Sequence, residues 1–151
     1  MRRAERAITD RAAIEAVLDE ATVLHLGLVD DGVAYVVPMN FGWRDGAVWL
    51  HSAAAGRKFR LLAAGPRVSF TVVAAATLRR GDTACRHSMT YRSVMGTGRA
   101  VVVDDAAGKQ RGLTAIMAKV GPSPWDFPDE IVRRTAVIRI DLDDLTGKQA
   151  P

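Results

Sequence analysis

Two Asp-Gly pairs shape the first half of this chain. Asp31-Gly32 separates a β-like run, Val23-Leu24-His25-Leu26-Gly27-Leu28-Val29, from a second run over residues 33–43. Asp45-Gly46 separates that second run from Ala47-Val48-Trp49-Leu50-His51-Ser52. An Asp-Gly loop marks a tight hairpin, because both central residues must adopt positive φ and these types tolerate it. Three strands joined by two such turns make an antiparallel meander.

The rest of the chain adds to this meander. Thr9-Asp10 offers an N-cap, and Ile14, Val17, Leu18 and Ala21 recur at helical spacing, which predicts a helix over 11–21. Beyond the meander, a helix over 57–64 is closed by Gly65-Pro66 and followed by a strand over 67–76 and a polar loop over 77–86. A long strand over 88–103 contains Gly96 and Gly98, which mark a bulge or a corner where the sheet bends. Asp104-Asp105 caps a helix running from 106 to about 120. A loop over 121–126 leads to Pro128-Asp129-Glu130, which opens a further short helix. The alternating strand 135–142 comes last. The expected architecture is one domain over residues 1–151. It is mainly β (α+β), a six-stranded antiparallel split β-barrel with short peripheral helices, since closure removes exposed strand edges.

Composition narrows the function classes. Hydrophobic residues make up 48% and charged residues 25%, the balance of a soluble globular domain. The apolar runs are too short to span a bilayer, and no apolar stretch follows the charged start Met1-Arg2-Arg3, so neither a membrane role nor a signal peptide is expected and the cytoplasm is. The single cysteine, Cys85, excludes an intrachain disulfide and a multi-cysteine metal site, and no histidine or carboxylate spacing suggests another metal site. The net charge is +4, but 17 acidic residues are interleaved with 21 basic ones and few aromatics are available for stacking, which argues against nucleic acid as a partner.

The segment His51-Ser52-Ala53-Ala54-Ala55-Gly56-Arg57-Lys58 carries the strongest chemical signal. Arg57 and Lys58 fall in the first turn of a helix, where the macrodipole already favours anions over cations. Free N–H groups, the Ser52 hydroxyl and two cations there suit a phosphate or carboxylate. The other reading is a solvated basic face continued by Arg60. A second feature is Val37-Pro38-Met39-Asn40. Pro38 cannot donate to a ladder, so it belongs at an edge or bulge. Backbone groups freed beside it can bond a planar heterocycle, or the proline simply protects an edge strand. A third is Tyr91-Arg92-Ser93-Val94-Met95-Gly96-Thr97-Gly98, which lacks the third glycine and the following helix of a dinucleotide fingerprint. Its hydroxyls and Arg92 extend an anion site or line a barrel rim. His51, at a strand end directly before the anion loop, can face a ligand; His25 lies within a strand and His87 in a polar loop.

Taken in order, Val-Val-Pro-Met-Asn-Phe-Gly (36–42), His-Ser-Ala-x-x-Gly-Arg-Lys (51–58) and Tyr-Arg-Ser-Val-Met-Gly-x-Gly (91–98) resemble the Nim-type nitroimidazole resistance proteins of the pyridoxamine 5′-phosphate oxidase-like split-barrel superfamily. The resemblance runs from Arg3 to about Leu142. It implies an FMN-binding homodimer with two flavin sites at the subunit interface. Arg57 and Lys58 would hold the FMN phosphate, with Ser52 nearby. Val37, Pro38, Met39 and Asn40 would lie along the isoalloxazine ring, and Tyr91, Arg92 and Ser93 would belong to the same pocket. His51 would face the substrate side as the active-site residue. The implied activity is reduction of nitroaromatic or other small acceptors with electrons from NAD(P)H. The chain ends soon after Leu142, where the larger oxidases carry a pyridoxal-binding segment, so pyridoxamine phosphate oxidation is not expected. The competing readings are a split barrel using deazaflavin F420 or haem, the latter through a histidine such as His51, and a non-catalytic flavin-binding module.

Overall fold

A computed structural model describes residues 3–122 and 124–150. Met1, Arg2, Ser123 and Pro151 lie outside the described residues, and with them the charged start, one position of the 121–126 loop and the last residue of the expected domain.

Both Asp-Gly turns form as the sequence requires. Asp31 and Gly32 have φ of 50° and 78°, Asp45 and Gly46 of 54° and 73°. They join β2 (Val23–Asp30) to β3 (Val33–Arg44) and β3 to β4 (Ala47–Ala53), antiparallel throughout. Helix α1 (Arg11–Glu20) precedes the meander; the Asp10 carboxylate accepts from the amides of Ala12 and Ala13 and caps it. After β4 come α2 (Gly56–Ala63), β5 (Arg67–Arg79), β6 (Ser88–Val103), α3 (Ala106–Met117), α4 (Asp129–Arg134) and β7 (Thr135–Ala150).

Six strands close a ring. The order β7-β4-β3-β2-β5-β6 returns to β7 through an additional β6–β7 pairing. A two-residue strand, β1 (Ala7–Ile8), adds to the far half of β7, pairing with Lys148 and Gly147. The sheet therefore has seven strands where six were expected, with the ring itself six-stranded.

Two strand boundaries differ for one reason. β7 continues past Leu142 to Ala150, and β5 continues past Ala76 to Arg79. The residues added, such as Asp144, Thr146, Gly147 and Lys148, lack an apolar alternation and are held as strand by backbone pairing with β6. Thr77, Leu78 and Arg79, in the segment expected as a polar loop, likewise pair with Thr90, Met89 and Ser88. The long β6 supplies a template that local composition does not announce. The irregularity expected near Gly96 and Gly98 is found: the β6–β7 register shifts between Thr97 and Gly98.

Two cores result. Leu24, Leu26, Phe41, Val48, Leu50, Phe70, Val72, Val94, Ile138 and Ile140 fill the barrel, closed at one side by Ile14, Val17 and Leu18 of α1 and by Leu62 of α2. Outside the barrel, α3 covers β4 and β7 through Leu113, Ala115 and Ile116 against Ala47, Trp49 and Val137. Both faces of β4 are thereby buried, which is why its first four residues read as a continuous apolar run.

Candidate functional site

The barrel is split beside β3. The β3–β4 pairing ends at Phe41 opposite Leu50, whereas β4 continues along β7 with His51 opposite Val137 and Ser52 opposite Ala136. On its other side β3 stays paired to β2, with Pro38 opposite His25 and Asn40 opposite Val23. Pro38 thus occupies an edge segment, the position that its missing N–H favours. Val37 and Met39 turn toward the barrel core, with Met39 buried, while Pro38 and Asn40 are exposed.

The far limit of this opening is set by α2. Its first residue, Gly56, has a φ of 90°, a conformation that favours glycine. Its N-cap is Ala55, which supplies no side-chain acceptor to the first-turn amides. Arg57 reaches back to β3, where its guanidinium lies 4.2 Å over the Tyr35 ring. The edge segment 36–40 therefore runs between the Arg57–Tyr35 contact and the last β3–β4 pair. The strand edge at 37–40, the strand end at His51 and the helix start at Arg57 and Lys58 are thus brought to the same side of β3.

The cations there differ in their commitments. Arg57 Nε donates to Asp30 Oδ2 at 2.6 Å, and Arg60 Nη2 donates to both Asp30 oxygens at 2.9 and 3.1 Å. Hydrogen bonds from Arg60 and then Arg57 hold the Asp30 carboxyl below its usual range. Lys58 makes no ion pair with the described residues. His51 is held below the ordinary histidine pKa, first by burial of its ring and second by the charge of Lys58, which places these two groups within electrostatic reach of each other. Ser52 departs from its expected role: it is buried, and its hydroxyl donates to the Ala53 carbonyl at 2.8 Å.

Tyr91, Arg92 and Ser93 lie elsewhere in the chain. Tyr91 pairs with Ala76 and Ala150, on an arm where β5 has already passed its last partner on β2, Val72 opposite Leu24. From Asp30 to Leu24 is six residues of β2, and from Val72 to Ala76 is four of β5, on the order of 30 Å of strand. An open cleft of about 420 Å³ is lined there by Glu5, Ala75, Thr90, Tyr91, Arg92, Gln149 and Ala150, with none of the α2 or β3 site residues in its wall. Arg92 is ion-paired to Glu20 at the end of α1. Desolvation would raise the Tyr91 phenol, but hydrogen bonds and charge from Arg6 and Lys148 outweigh it and hold the group below its usual value. Ser93 Oγ donates to the Lys148 carbonyl at 3.5 Å. Within one protomer the Tyr91–Ser93 segment and the start of α2 thus lie apart, whereas the 37–40 edge reaches the level of Ser93: Asn40 pairs with Val23, next to Leu24 opposite Val72, and Ser93 pairs with Val73. Sequence reading missed Asp30, whose partners lie 27 and 30 residues away and leave no local signal.

Among the described residues no cluster of three or more histidine, cysteine or carboxylate groups could hold a metal ion, and no helix is long and apolar enough to cross a membrane.

The fold and the split opening define a class: small antiparallel barrels that open beside a proline-bearing edge strand and a basic helix start. Residues 10–149 match the family model described as pyridoxamine 5′-phosphate oxidase. Among solved structures, a protein from Bacteroides thetaiotaomicron assigned to 5-nitroimidazole antibiotic resistance is 30% identical over 95% of this chain and 86% of its own, with a TM-score of 0.84. The flavocytochrome Anf3 from Azotobacter vinelandii is 26% identical, covering 100% and 72%, with a TM-score of 0.86. The FAD and haem binding protein from Mycobacterium smegmatis shares the fold at 20% identity, covering 96% and 73%, with a TM-score of 0.87. No curated protein sequence matches significantly. The chain belongs to the pyridoxamine 5′-phosphate oxidase-like superfamily, in its Nim-type branch.

Proposed function

We propose that this protein is an FMN-dependent reductase of nitroaromatic or other small acceptors, with NAD(P)H as electron donor. The observation that carries the reading is the opening between the unpaired edge of β3 and the uncapped start of α2, with the unpartnered Lys58 beside His51. These residues fit the cofactor. The first-turn amides of α2 and the Lys58 ammonium offer donors and charge to a phosphate. The backbone of Val37, Pro38, Met39 and Asn40, free of strand partners on one side, offers hydrogen bonds along a planar ring system. FMN, when bound, supplies the two-electron transfer between donor and acceptor. His51 is neutral near pH 7 because burial and Lys58 disfavour its cation, so its ring presents one donor and one acceptor nitrogen to a substrate.

The site we propose is completed by a second copy of the chain. Tyr91, Arg92 and Ser93 cannot meet α2 within one protomer, but a homodimer pairs one end of a barrel with the opposite end of its partner. The outer faces of β2, β3, β5 and β6 support this pairing. Pro38, His25, Thr71 and Met95 form one row across the four strands, and Val23, Val36, Val73 and Met95 are exposed on that surface. Such a face covered by its own copy gives an isologous interface.

The test is the visible spectrum and mass of the ligand that co-purifies, followed by FMN titration and NAD(P)H oxidation against a panel of nitro compounds and quinones. Yellow protein with acceptor-dependent NAD(P)H oxidation is expected. Colourless protein that takes up no FMN overturns the reading. A Soret band or an F420 spectrum replaces the cofactor, and FMN binding without turnover replaces the enzyme with a binding module.

A further inference from the structure

The three cations of α2 are not equivalent. We infer that Asp30 turns Arg57 and Arg60 into a strap that seats α2 on the β2–β3 hairpin, leaving Lys58 as the side-chain cation for an anionic ligand at the first turn. The identity of that anion rests on the FMN reading above; the strap does not.

Asp30 is the last residue of β2 and pairs with Val33 across the hairpin turn. Its side chain is only 11% exposed, and both carboxylate oxygens are engaged, one by Arg60 and the other by Arg57 and Arg60 together. Arg57 is occupied on its edge by this carboxylate and on its face by the Tyr35 ring. A phosphate that drew the Arg57 guanidinium away from Asp30 would break a charge-assisted bond of 2.6 Å. One bound by the Nη groups with the Nε bond intact would sit near the Asp30 carboxylate, and like charges repel.

The strap answers a structural need. Helix α2 has eight residues, one fully buried side chain, Leu62, and no side-chain N-cap. A helix of this length does not hold itself in water. Arg57 and Arg60, one turn apart on the same face, converge on one carboxylate of the neighbouring strand and fix its rotation. Lys58 follows Arg57 by about 100° around the helix axis, so the same rotation aims it away from Asp30. It is half-buried and its charge is felt at His51.

The experiment is FMN titration by fluorescence quenching together with thermal unfolding, on the full chain and on Lys58→Ala, Lys58→Arg, Arg57→Ala, Asp30→Asn and the Asp30→Asn/Arg57→Ala pair. Lys58→Ala is expected to raise the FMN Kd about tenfold, with Lys58→Arg recovering most of the loss. Arg57→Ala and Asp30→Asn each lower Tm, and the double variant loses less than the sum, the signature of a direct pair. Arg57→Ala raising Kd as much as Lys58→Ala at unchanged Tm overturns the proposal, and so do additive Tm losses. If the unmodified protein binds no FMN, the flavin reading fails while the non-additive Tm cycle still decides the strap.

Discussion

Helices α2 and α3 both lie against the barrel, each with a lysine in it or just after it near a critical contact, but the two seams are built oppositely. At α3 the contact is made by backbone. A Cβ on Gly42 of β3 would stand 2.3 Å from the Ala115 carbonyl carbon, and one on Gly112 would stand 2.6 Å from both Trp49 and Val137. In the turn after α3, Lys119 Nζ donates to the carbonyls of Leu18, Asp19 and Ala21 at the end of α1 and lies 4.2 Å over the Phe41 ring. Burial lowers the pKa of Lys119, opposed by the charge of Asp19. Every donor of that lysine is spent on the fold. At α2 the seam is a side-chain strap, the first-turn amides lack a side-chain cap, and Lys58 is uncommitted. A cation bound to three carbonyls holds structure together; one with no partner beside a desolvated histidine is available to a ligand.

If that contrast is right, α3 substitutions act on stability and α2 substitutions on binding. The largest effect is expected at Gly42. Gly42→Ala forces a methyl into helix backbone that cannot give way, and should cost about 3 kcal/mol in urea denaturation. Lys119→Met comes next. It keeps the apolar stem but leaves three carbonyls at the end of α1 without their donor, for a loss of about 2 kcal/mol. In both variants the remaining folded protein should bind FMN as before. A tenfold weaker Kd in Lys119→Met would break the division between the two seams. Lys58→Ala should do the reverse, with about 1.4 kcal/mol lost from FMN binding and Tm unmoved.

The sequence exposed what local chemistry controls. The hairpins were legible because Asp31-Gly32 and Asp45-Gly46 admit few other conformations, and Asp10 announced α1. Pro38 announced an edge, and residues 51–58 announced a basic helix start beside a strand-end histidine. What stayed hidden depends on distant pairing. Asp143, Asp144 and Gly147 read as a tail, yet they lie in β7 because β6 is long enough to pair with it. Arg57 read as a free cation because Asp30 lies 27 residues earlier. The separation of Tyr91, Arg92 and Ser93 from α2 within one protomer stayed hidden too, because a linear motif order carries no information about where along a barrel each motif falls.

Acid should weaken the strap with a definite sign. The Asp30 pKa is lowered by folding, so its contribution is fully present above the usual carboxylate value of 3.8 and is lost as pH falls through the lower folded value. The stability gap between the unmodified protein and Asp30→Asn should therefore be constant from neutral pH to about pH 5 and close only below the usual carboxylate range. A gap that closes near pH 6 instead would assign it to a histidine.

The smallest expected change is at His51. Its pKa lies below 6.5 for two unequal reasons, burial first and Lys58 second. Removing the charge while keeping the burial separates them. In an NMR titration of the ligand-free protein, Lys58→Ala should move the His51 pKa upward without restoring it to the ordinary value, whereas Arg60→Ala should leave it in place, because Arg60 is turned toward Asp30. A full return to 6.5 in Lys58→Ala would mean that charge, not burial, governs this histidine, and Lys58 would then have to face the ring closely enough to be its direct partner. No movement at all would place Lys58 away from His51 and remove the observation that ties the helix start to the strand end.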